Sequence, residues 1–139
     1  MKKQWPTAGL IAALVLGGAA QAHHSAAMFD ASKRITVEGT VKEWQWTNPH
    51  AWLQMMVPDG KGGQIEAGFE LGSPNTLVRN GFRRDSFKAG DQVTVIGSPR
   101  KDGVPGGALV QVKTADGKWL QWGPGADAKA AADAGVPTQ

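Results

Sequence analysis

The sequence contains no cysteine and no tyrosine. The first absence excludes disulfides, thiolate metal centres and a cysteine nucleophile. The second removes phenol chemistry. Histidine is scarce, with only His23, His24 and His50 in 139 residues. Excess charge is missing too. There are 15 basic and 12 acidic side chains, and Lys2 and Lys3 lie in a leader-like segment. Setting those two aside leaves 13 against 12, so charge offers no argument for a nucleic-acid partner. No P-loop, zincin, nucleophile-elbow or dinucleotide motif occurs. No catalytic residue is therefore assigned, and an enzyme is not expected.

A long hydrophobic run is also missing. The uncharged stretch from Ala8 to Ala20 is the longest, and a membrane-crossing helix needs about 20 residues. With Lys2 and Lys3 ahead of it and Ala20-Gln21-Ala22 behind it, the stretch reads as a secretory signal peptide over residues 1–22. Cleavage between Ala22 and His23 predicts a periplasmic or secreted protein, with no membrane span after processing. The mature chain then divides into an N-terminal segment (23–34), one β domain (35–122) and a tail (123–139) whose Ala, Gly and Pro content predicts disorder.

Alternation of apolar and polar residues predicts the strands. Ile35 to Trp46 forms the first. Ile35, Val37 and Val41 share one phase, whereas Trp44 and Trp46 take the other, so a β-bulge is expected around Lys42-Glu43. Ala51–Val57 and Gln64–Leu71 follow. In the latter, Ile65, Ala67, Phe69 and Leu71 are expected inside, with Glu66 and Glu70 on the solvated face. Ser73-Pro74 starts a short helix with Leu77 and Val78 on its apolar side, and Gly81 ends it. Strands at Gln92–Gly97, Ala108–Thr114 and Lys118–Trp122 complete the order. Three strands, a helix, then two or three strands is the chain order of an OB-fold-like antiparallel barrel. A small sandwich or an SH3-like barrel is the alternative.

Several stretches carry a resemblance. They are His23-His24-Ser25, Phe29-Asp30, Trp46-x-Asn48-Pro49-His50, Glu70-Leu71-Gly72-Ser73-Pro74 and Gly81-Phe82-Arg83-Arg84-Asp85. Together the chain from His23 to about Val112 resembles an uncharacterised family of exported bacterial proteins, a DUF6152-like domain of unknown function. The resemblance implies export and a single β domain. It implies no activity and assigns no residue a role.

The histidines are the principal candidates for chemistry. Cleavage before His23 would leave its α-amine beside its ring Nδ1, a chelating pair suited to Cu(II), Ni(II) or Zn(II). His50, in a turn after Pro49, or His24 would add an imidazole. The expected metal ligands are therefore His23, His24 and His50, with copper as the expected metal. Met28, Met55 and Met56 are softer donors in reserve. Arg79, Arg83 and Arg84 form a weaker candidate for an anionic ligand, or else a solvated surface paired with Asp85. Trp44, Trp46 and Trp52 are expected in core or rim positions rather than stacking on bases. The competing expectation is a module without metal that meets an envelope partner through a barrel face or a sheet edge.

Overall fold

The structure is a computed structural model, and it describes residues 27–123. Residues 1–22, expected to be a signal peptide, together with His23, His24 and the tail beyond Gly123, lie outside the described residues.

The expected strands form in the expected order. They are β1 (Ile35–Gln45), β2 (Trp52–Pro58), β3 (Gln64–Glu70), β4 (Gln92–Pro99), β5 (Gly106–Lys113) and β6 (Trp119–Gln121). The helix α1 (Pro74–Arg79) lies between β3 and β4. The sheet runs β3-β2-β1-β4-β5-β6, and a parallel pairing of β3 with β5 closes five strands into a barrel. This is the OB-like architecture, with β6 as an added edge strand.

The bulge in β1 falls where the phase of its side chains changes. Val41 pairs with Met55 and Glu43 with Gln54, so Lys42 is the extra residue. Ile35 and Val37 before the bulge, and Trp44 after it, pack against the same core. One inserted residue thus lets two opposite phases face one interior.

Closure requires close backbone approach. Gly68 pairs with Gly106, and Gly106 has φ +118°. A Cβ at Gly106 would stand 2.1 Å from the Gly68 carbonyl oxygen, so only glycine lets these strands meet. Asp59 fixes the β2–β3 turn by accepting from the Lys61 and Gly63 N–H groups at 2.7 and 2.9 Å. Those bonds stabilise the carboxylate and hold its pKa below the usual range.

Helix α1 ends in a Schellman arrangement. The Phe82 N–H reaches the Leu77 carbonyl at 3.2 Å, and the Gly81 N–H reaches that of Val78 at 3.2 Å. Gly81 takes φ +85°, and the accompanying apolar contact joins Leu77 and Phe82, both fully buried. The main core gathers Leu53, Met55, Phe69, Leu71, Leu77, Phe82, Leu109 and Val112.

Two inward expectations fail. Val78 is exposed, because a six-residue helix buries only Pro74 and Leu77. Ile65 is also exposed: β3 meets β5 only from Gly68 onward, so its first residues overhang the open mouth of the barrel.

Candidate functional site

Each strand of the β2–β3 hairpin contributes one end of a polar pair. Counting out from the Pro58–Gln64 pair brings Glu70 opposite Trp52, two residues past His50. Ala51 then bonds twice to the chain just past β3. Its N–H donates to the Gly72 carbonyl at 3.0 Å, and its own carbonyl accepts from Leu71 N–H at 2.9 Å. Thr47 Oγ1 donates to the His50 carbonyl at 3.1 Å, closing the loop that begins after β1. His50 is therefore clamped on both sides.

The His50 Nδ1 edge meets the Glu70 carboxylate. The Glu70 side chain is 9% exposed and that of His50 is 32% exposed. Nδ1 itself is fully buried and, this ion-pair contact aside, forms no hydrogen bond among the described residues. Nε2 is not among the buried atoms without a partner, and the side chain is partly open, so the open part of the ring includes the second nitrogen. This corrects the expectation that Glu66 and Glu70 both belong to a solvated face. Glu66 is 61% exposed beside Lys42, whereas Glu70 is buried between β2, β5 and His50.

The surroundings of Glu70 include the start of the described chain. The field of the Glu70 carboxylate reaches Arg100, adding to the stronger effect of Asp102, and both favour the charged guanidinium. Arg100 binds Asp102 through Nε at 3.0 Å and Nη2 at 2.5 Å. Hydrogen bonding from Arg100 holds the Asp102 pKa down at about 2, with further help from the Val104 N–H. Phe29 forms a bridge with Arg100 and is flanked by bonds from Lys101 N–H to Met28 and from Asp30 N–H to Pro99, each 2.9 Å. Bonds from Ser32, then from Lys33, lower Asp30 to about 2. Arg34 ties this segment to Ser98 Oγ at 2.8 Å. Residues 28–34 are thus anchored alongside Arg100.

The other candidates separate. His23 and His24 lie outside the described residues, and among the described residues no three His, Cys, Asp or Glu side chains converge to hold a metal ion. Met55 is fully buried in the core and is lost as a ligand. Arg83 Nη1 donates to the Val78 and Phe82 carbonyls, both at 2.9 Å, so it caps α1 rather than pairing with Asp85. Arg79 and Arg84 are exposed. Trp44 packs edge-on against Phe87 with centroids 5.1 Å apart, and its Nε1 donates to the Arg83 carbonyl at 3.0 Å. With Trp46 it supports the core rather than offering a free stacking face. Two open grooves, of about 440 and 320 Å³, flank the β5–β6 hairpin and contain no histidine.

From sequence Glu70 reads only as the companion of Glu66 on a solvated strand face. The signal that finds it is the hairpin register, since strand alternation alone treats it like Glu66.

Fold and site together define a small OB-like barrel with a His–Glu pair at one rim, its carboxylate buried and its imidazole half-buried. The chain belongs to a Family of unknown function (DUF6152), whose model matches residues 12–123. No curated protein and no solved structure matches it. No helix among the described residues is long and apolar enough to cross a membrane.

Proposed function

We propose that this is an exported binding protein, periplasmic or secreted after removal of residues 1–22, that takes up a transition metal, copper first, through His50 and the mature N-terminal histidines His23 and His24. The observation that carries the reading is the His50–Glu70 contact, which buries one ring nitrogen and leaves the other open. The anchoring of Phe29 beside Arg100 supports it, because Glu70 is electrostatically coupled to that same Arg100. From Phe29 back to His23 is six residues, a reach of at most about 20 Å. Imidazole and amine donors match Cu(II) and, less strongly, Zn(II).

The test is Cu(II) titration of the processed protein. Stoichiometric uptake is expected, weakened by His23→Ala and by His50→Ala, and weakened again when one extra residue precedes His23. Unchanged affinity in either alanine variant rejects a shared site.

A second reading has its own support. The first half of β3, up to Ala67, pairs with β2 alone, and exposed Ile65 lies on it. Val104, also exposed, stands two residues before the closure at Gly106. An edge of this kind suits strand addition by an envelope partner. A photo-crosslinker at Ile65, placed in the exporting cell, is expected to give a discrete adduct if this reading holds, and none if it fails.

A further inference from the structure

Within the metal-binding reading, and resting on it, we infer that Glu70 is the positioning residue of the site: it holds the His50 proton on Nδ1 and thereby presents Nε2 as the ligand nitrogen. A neutral imidazole has one donor nitrogen and one acceptor nitrogen. The tautomer is set by what the buried nitrogen meets. Here Nδ1 is buried in close ion-pair contact with a carboxylate that is itself buried, and apart from that contact it forms no hydrogen bond among the described residues. A carboxylate only accepts, so Nδ1 carries the hydrogen. The lone pair is then on Nε2, the nitrogen left accessible. A carboxylate behind a histidine fixes ring orientation and raises the basicity of the opposite nitrogen, and losing it typically costs 10–100-fold in metal affinity.

The surrounding backbone makes the arrangement rigid. Glu70 is the last residue of β3, held between Trp52 on β2 and Ala108 on β5. His50 is tied through Thr47 on one side and Ala51 on the other. The backbone that carries both side chains is thus fixed at the barrel rim. Arg100, which feels the Glu70 charge, is itself paired with Asp102. The site therefore offers one oriented imidazole to a borderline metal ion such as Cu(II).

The experiment compares wild type, Glu70→Leu, Glu70→Gln and His50→Ala, each exported and processed, using Cu(II) as the probe and the ring ¹⁵N shifts of His50 in the metal-free protein as a second readout. Glutamine keeps a carbonyl oxygen for Nδ1, whereas leucine keeps nothing. Expected are a Nδ1–H signature in wild type and Glu70→Gln, and its loss in Glu70→Leu. Affinity should drop about 10–100-fold in Glu70→Leu and only a few-fold in Glu70→Gln. If His50→Ala weakens binding but Glu70→Leu changes neither affinity nor tautomer, the positioning role is wrong and the metal reading stands. If His50→Ala leaves affinity unchanged, the metal reading itself fails. Should Glu70→Leu not fold, the wild-type and Glu70→Gln spectra decide, and a Nε2–H signature in wild type overturns the inference.

Discussion

Glu66 and Glu70 stand four residues apart on one face of β3, and they live in different environments. Glu66 is open to water and meets Lys42 across the solvated wall of β1 and β2. Glu70 is covered, meets His50, and lies where β3 has already joined β5. The same residue on the same strand face is a surface charge at one end and part of a buried polar pair at the other. The difference comes from neighbours far apart in sequence. Closure by β5 begins at Gly68, between the two carboxylates.

The contrast can be broken most severely at the closure itself. Gly106→Ala drives a Cβ into the Gly68 carbonyl and strains a positive φ. It is expected to cost at least about 3 kcal/mol in urea unfolding and to open the Glu70 end. Gly103→Ala, where a Cβ meets open space, serves as the control at about 1 kcal/mol. Next, Glu70→Ala strands the buried Nδ1 of His50 and should cost about 2–3 kcal/mol. Trp44→Phe keeps the ring stack and loses the bond to the Arg83 carbonyl, for about 1 kcal/mol. Glu66→Ala is expected to change stability by less than about 0.5 kcal/mol, because exposed ion pairs contribute little. Comparable losses for Glu66→Ala and Glu70→Ala would erase the distinction.

Acid sharpens the comparison further. Asp30 and Asp102, both on the segments joined at the Phe29–Arg100 bridge, are held at about 2 in the folded state, below the usual 3.8. A lowered folded pKa gives stability that is present above the unfolded value and lost as pH falls through the folded one. Amide exchange in residues 28–34 should therefore stay slow down to about pH 4 and accelerate between about pH 4 and 2. Asp30→Asn should bring that fast exchange to neutral pH.

Much of the fold was legible from local pattern. The phase change between Val41 and Trp44 announced the bulge, and Gly81 announced the helix end, because each is decided by residues within one turn or one strand. Ile65, Val78 and Glu70 were misread for a shared reason. Their burial depends on where β5 joins β3 and on how little surface a six-residue helix covers, which alternation does not encode. His50 was legible as a candidate, since histidine is rare in this chain. Its partner was hidden behind a register that has to be counted across a hairpin.

The most direct test of the account is site-resolved paramagnetic broadening by substoichiometric Cu(II), followed amide by amide on the processed protein. The account predicts that signals around His50, Trp52 and Glu70 vanish first, while those around Lys42 and Glu66 persist. Broadening centred on the Lys42–Glu66 wall, or spread evenly over the barrel, would contradict it.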